Sequence, residues 1–189
     1  MRLFTGIALA PAVAEKISAA LTELRPTARI NWTPPENLHI TCKFIGAWHE
    51  ERLKDLRAAL DTVTHTGPIA IGVSRFGFMP NPHHPHFLFA GVQGAPGLAA
   101  LVSALDHALL PLGLAAETRA YRPHVTFARI KADADIRGLR EHIAAMSDFD
   151  FGSFDAHEFH LYESRPSAKG SIYTKLATYD LMREKKTTE

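Results

Sequence analysis

The tetrapeptide His39-Ile40-Thr41-Cys42 returns 85 residues later as His124-Val125-Thr126-Phe127. Each copy lies in a run with strand alternation, so its His and Thr share one face while Ile40 or Val125 points to the other. Composition alone supplies about one His-x-Thr in a chain of this size, and a lone copy would say little. Two lone surface histidines beside threonines chosen for strand propensity would account for each copy separately. The duplication argues against that reading. Each strand can present an imidazole and a hydroxyl side by side from a rigid backing.

The surroundings repeat as well. Leu3, Ile7 and Leu9 mark an opening strand. Pro11 opens a helix striped by Val13, Ile17, Leu21 and Leu24. The first motif falls in a strand predicted over 37–46. A charged helix with Leu53, Leu56, Leu60 and Val63 follows, then a break at Gly67-Pro68. Strands are expected at 69–73 and 86–92. A helix with Leu98, Leu101, Val102, Leu105 and Leu109 comes next, and a strand over 123–130 carries the second motif. A further helix shows Ile136, Leu139, Ile143 and Met146. Strands are predicted at 150–155, 157–164 and 171–179, with a polar tail over 183–189. No Ser/Gly-rich linker divides the halves. The expected fold is α+β: two pseudo-symmetric lobes, each an antiparallel sheet with flanking helices, forming one bilobal unit over 1–189.

The 189 residues carry 21 Lys plus Arg against 20 Asp plus Glu, a formal charge of +1. That balance excludes a strongly cationic protein that wraps nucleic acid, though not a local basic patch. Cys42 is the single cysteine. It rules out an intramolecular disulfide and any multi-cysteine metal centre, and its parity places it among packed apolar side chains. The reading is of a cytoplasmic protein without a signal peptide or membrane helix.

The paired motifs resemble those of the 2H phosphoesterases, and more closely the RNA 2′,3′-cyclic phosphodiesterases of the 2′-5′ RNA ligase family. The resemblance covers Arg2-Leu3-Phe4 with Pro11, Asn37 to Thr41 with Phe44-Ile45-Gly46, Pro123 to Thr126 with Ala128-Arg129, and Leu161 to Arg165. It implies two lobes about a central cleft that holds both motifs. It also implies breakage of the bond to the 3′ oxygen, giving a 2′-phosphomonoester. Where relatives commonly carry Pro-Arg before the strand at 86–92, this chain has Pro85-His86.

Opening a strained cyclic phosphate needs a base for water, an acid for the leaving ribose oxygen and donors for the remaining oxygens. His39 is assigned as acid and His124 as base, with the reverse order left open; Thr41 and Thr126 donate to the phosphoryl group. No metal or other cofactor is called for. Lys43 shares the His39 face by parity and is a candidate phosphate contact. Arg129 matches an arginine that follows the second motif in relatives, but alternation puts it on the wrong face unless the strand bulges. Arg122, Tyr121, Arg165 and Lys169 are solvated candidates near the cleft. His83, His84 and His86 crowd a Pro-rich loop whose spacing does not suit a metal, and a lid there is the better expectation. His157 and His160 face opposite sides.

The expected partners are RNA ends or 2′,3′-cyclic nucleotides, with no obligate protein partner and a monomeric state. Three alternatives stay open: reversible 2′-5′ ligation of tRNA halves, a non-catalytic RNA- or nucleotide-binding module, and a His-metal hydrolase.

Overall fold

The computed structural model describes residues 1–63, 67–146, 148–167 and 170–182. The chain runs β1 (Arg2–Ala8), α1 (Pro11–Leu24), β2 (Asn31–Trp32), β3 (His39–Ala47), α2 (Leu53–Asp61), β4 (Ile69–Met79) and β5 (Phe87–Gln93). It continues through α3 (Ala95–Leu109), β6 (His124–Arg129), α4 (Arg137–Ala145), β7 (Asp150–Ala156), β8 (Glu158–Ser167) and β9 (Gly170–Asp180).

The strands join in one antiparallel sheet in the order β7-β4-β5-β6-β3-β1-β8-β9, with β2 added to β6. At its centre β3 meets β6 in the registered pair Ile40↔Val125. The two halves of the sheet lie on either side of that seam. Each half of the chain lends its closing strands to the other: β4 and β5 join β6, and β8 and β9 join β1. Helices cross over too. α1 packs against β7, and α3 packs against β3. This exchange accounts for the missing linker, since the chain passes between lobes within the sheet.

Apolar periodicity explains the helices. Val13, Ile17, Leu21 and Leu24 of α1 are buried, as are Leu98, Leu101, Leu105 and Leu109 of α3. Each fully buried aliphatic side chain contributes roughly 1.5–3 kcal/mol. Ile40 and Val125 are themselves wholly buried. The seam is therefore fixed by its hydrophobic side, and the His and Thr side chains are left on the opposite face.

Several boundaries differ from expectation. The first motif strand begins at His39, because Pro35–Asn37 form a short 3₁₀ turn. β4 extends to Met79 beside β5. The strand predicted to end at 164 continues to Ser167 paired with β9, Arg165 opposite Ile172. β2, only two residues long, is invisible to periodicity. His65, Lys169 and the polar tail lie outside the described residues. Among the described residues no helix is long and apolar enough to cross a membrane.

Candidate active site

The two motifs are built alike. His39 Nδ1 lies 2.7 Å from the carbonyl of Asn37. His124 Nδ1 lies 2.8 Å from the carbonyl of Arg122. A carbonyl can only accept, so each Nδ1 carries a hydrogen and each Nε2 is left to exchange a proton. In both cases the anchor is the carbonyl two residues upstream. Asn37 is buried and donates its amide to the Ser171 carbonyl at 2.6 Å, which fixes the first anchor against β9. Antiparallel register about Ile40↔Val125 sets Thr41 beside His124 and His39 beside Thr126. All four lie half-buried or nearly so on one face, about the pseudo-twofold axis of the sheet.

The environments of the two imidazoles are not equivalent. The His39 ring is walled by Phe4 at 4.8 Å, Tyr173 at 5.2 Å and Tyr162 at 6.1 Å between centroids. It lies over Gly6, where an added Cβ would stand 2.8 Å from the Ile40 carbonyl oxygen and 3.3 Å from His39 Cδ2. Any side chain at position 6 would collide with the β3 backbone and crowd the ring. His39 Nε2 is 2.9 Å from Thr41 Oγ1. His124 instead meets the Phe89 ring edge-on at 5.8 Å. That ring lies over Gly77, whose added Cβ would come 2.4 Å from Phe89 Cζ. Burial holds the His39 imidazole below its ordinary range. The Asn37 carbonyl partly offsets this, and the nearby His124 adds to the lowering. The two rings are thus close enough to feel each other's charge.

Residues 12–167 match the model of the 2′-5′ RNA ligase superfamily. The chain belongs to that superfamily. The RNA 2′,3′-cyclic phosphodiesterase of Methanocaldococcus jannaschii is 34% identical over 173 residues, 92% of this chain and 96% of the relative. The Archaeoglobus fulgidus protein of the same name is 30% identical over 184 residues, 95% of this chain and all of that one. The crystal structure of TT0787 from Thermus thermophilus superposes with a TM-score of 0.82 at 29% identity, covering 97% of this chain and 100% of that one. That of E. coli LigT complexed with 3′-AMP gives 0.75 at 22%, covering 96% and 98%, a likeness of fold.

The other candidates of this superfamily member are placed differently from one another. β3 carries one residue more than β1 between Thr41 and Lys43, a bulge at Cys42. After it Cys42 and Lys43 are both buried and Phe44 is exposed, so the strict alternation extended past Thr41 fails. The Lys43 ammonium is paired with Asp106 of α3 and donates to the Ala115 carbonyl at 3.0 Å. β6 bulges in the same place. Its register with β5 skips Phe127, Phe127 and Ala128 are both buried, and Arg129 emerges exposed. This is the irregularity that Arg129 required. Its guanidinium lies over the Phe87 ring at 5.2 Å. Phe44 and Arg129 therefore occupy equivalent positions in the two halves.

Arg165 pairs with the buried Glu163 at 2.9 Å. Tyr121 donates its hydroxyl to the Thr41 carbonyl at 2.8 Å and so ties the approach to the second motif onto the first. Arg122 lines a cavity with Thr41 and His124. His83 and His84 are exposed in the β4–β5 turn, where both backbone N–H groups donate to Asn81 Oδ1. His157 is exposed. His160 is buried, 3.0 Å from Thr178 Oγ1 and 3.4 Å from Glu158 Oε1. Burial, with the Lys175 charge, lowers its pKa to about 4, so at neutral pH the Glu158 contact is not an ion pair. Cys42 is packed, its thiol pushed up to about 12 by burial.

Sequence reasoning missed the wall of Phe4, Tyr162 and Tyr173, and the anchor Asn37. Only strand pairing brings β9 against the motif on β3. The one available signal was the position of Asn37 and Arg122, each two residues before a motif histidine.

Proposed function

We propose that the chain hydrolyses 2′,3′-cyclic phosphate ends of RNA, or the corresponding nucleotides, to 2′-phosphomonoesters without a metal. One observation carries this reading. Two histidines, each anchored at Nδ1 by the carbonyl two residues upstream, flank the Ile40–Val125 seam with a threonine beside each. That arrangement suits in-line displacement at a phosphorus between them. His124 Nε2 takes a proton from water as its oxygen bonds to phosphorus. The phosphorus–O3′ bond breaks, and His39 Nε2–H protonates the departing O3′. The Thr41 and Thr126 hydroxyls donate to the non-bridging oxygens as charge builds there.

His39 must hold a proton to act as acid, while burial lowers its pKa in the free protein. The bound phosphodiester opposes that lowering. A unit charge at about 4 Å in an effective dielectric of about 20 is worth roughly 4 kcal/mol and favours the protonated imidazole on binding. Relatives named as RNA 2′,3′-cyclic phosphodiesterases support the substrate class. The reading also takes the chain to act alone, as a monomer in the cytoplasm.

The test is turnover of adenosine 2′,3′-cyclic phosphate in excess EDTA, with products resolved. Undiminished formation of the 2′-phosphate is expected. Loss of activity restored by a divalent metal would replace this scheme with a metal-dependent one.

A further inference from the structure

Each motif histidine takes its anchor from the segment that leads into its strand, and each such segment is held by the opposite motif strand. Into β3 this is done with backbone. Asn31 and Trp32 pair with Arg129 and Ala128 of β6, and the Thr33 N–H donates to the Phe127 carbonyl at 2.8 Å. Asn37 is then fixed a second time, on β9. Among the described residues, the segment leading into β6 forms no ladder with β3. Side chains take its place. The Lys43 ammonium donates to the Ala115 carbonyl at 3.0 Å, and the Tyr121 hydroxyl donates to the Thr41 carbonyl at 2.8 Å.

These two bonds stand at the ends of the stretch 115–121. Tyr121 adjoins Arg122, whose carbonyl accepts the His124 Nδ1 hydrogen at 2.8 Å. The partners of both ties are fixed elsewhere. Thr41 is paired with Gly6 in the ladder between β1 and β3. Asp106, which pairs with Lys43, stands on α3 between the wholly buried Leu105 and Leu109. Lys43 is itself buried, so its ammonium is committed to the oxygens that face it. Burial pushes the Tyr121 phenol up, so it remains a donor across the neutral range. Breaking either tie therefore frees the segment, and leaves the strand and the helix in place.

We infer that Tyr121 and the Lys43–Asp106 pair are positioning residues for His124. They hold the Arg122 carbonyl where it keeps the hydrogen on Nδ1 and leaves Nε2 to take a proton from water. Lys43, expected from parity as a phosphate contact, acts through this tie instead. The task of His124 as base rests on the proposed function; its positioning is a property of the protein alone.

The experiment is nitrogen NMR of the two imidazoles in the substrate-free protein at about pH 8.5, where imidazoles are neutral. A free neutral imidazole prefers its hydrogen on Nε2, so a loosened anchor has a signature. In Tyr121→Phe the His124 Nδ1 resonance should move toward the unprotonated position. That of His39, whose anchor rests on a backbone ladder, should stay. On adenosine 2′,3′-cyclic phosphate, kcat should fall about tenfold or more, with KM kept within about twofold. Lys43→Met combined with Asp106→Leu, a neutral pair of similar volume, should move the same resonance in the same direction. Thermal melts check that each variant is folded; should one not fold, the other decides on the same criterion. An unmoved His124 resonance in a folded variant, equal movement of both histidines, or a raised KM with kcat kept would overturn the assignment. A wild type that hydrolyses no cyclic phosphate, with variants that still show the His124-specific movement, would sink the hydrolase and leave the positioning standing.

Discussion

His39 and His124 carry the same motif and receive the same Nδ1 anchor, yet only His39 is enclosed by aromatic rings. The consequence is kinetic. With His39 as the acid, its protonated form sets the alkaline limb of activity. In the free protein that limb should fall below pH 6.5, because burial favours the neutral ring. Once phosphate is bound the limb should move up. The alkaline limb of kcat/KM, which reports the free protein, should therefore lie at lower pH than that of kcat. Coincident limbs, or the reverse displacement, would favour exchanging the roles of the two histidines.

His160 provides a second titration, separate from the chemistry. Its pKa of about 4 in the folded protein is below the unfolded value of about 6.5. Between these values the unfolded chain binds more protons, so stability falls as pH drops from about 6.5 to about 4. Above 6.5 the group contributes no pH dependence. The full loss is about 3 kcal/mol, at about 1.4 kcal/mol per pH unit. Urea melts at about pH 7 and about pH 4.5 should show His160→Gln losing about 2 kcal/mol less than wild type over that interval. Equal losses would mean that the ring takes up a proton in the folded state at its ordinary pKa.

At the scale of elements, the seam shows how far a sequence can be read. The alternation around each motif located both strands and the shared face of His and Thr, since period two holds from His39 to Thr41 and from His124 to Thr126. It failed one residue later. The bulges at Cys42 and Phe127 turn Lys43 inward to Asp106 and bring out Phe44 and Arg129. A bulge depends on the partner strand's count of residues, which local periodicity does not contain. The need for one at Arg129 was visible from parity, but the matching one at Cys42 was not. Ile40, wholly buried at the seam, is the residue on which both motifs' placement depends. Ile40→Ala should cost about 2–5 kcal/mol in a denaturant melt. A loss below about 1 kcal/mol would mean that the seam is held by something other than its apolar side.

Across the whole molecule, the exchange of β4 and β8 between halves makes the cleft a property of the complete chain. Motif spacing suggested two lobes, and the family resemblance supplied the axis between them. The swapped strands and crossed helices were beyond reach, because no local pattern says which sheet a strand joins. The same architecture makes the site asymmetric: β2 closes one end, and the other remains open beside Phe44.

The central claim is that two imidazoles from opposite sides of the seam act on one phosphorus. The direct measurement is single-turnover cleavage of a 2′,3′-cyclic nucleotide by His39→Ala and His124→Ala, alongside their thermal melts. Each variant should lose about a thousandfold or more in rate, as expected for an essential acid or base, while melting as a folded protein. A folded variant of either histidine that retains near-wild-type turnover would contradict the account.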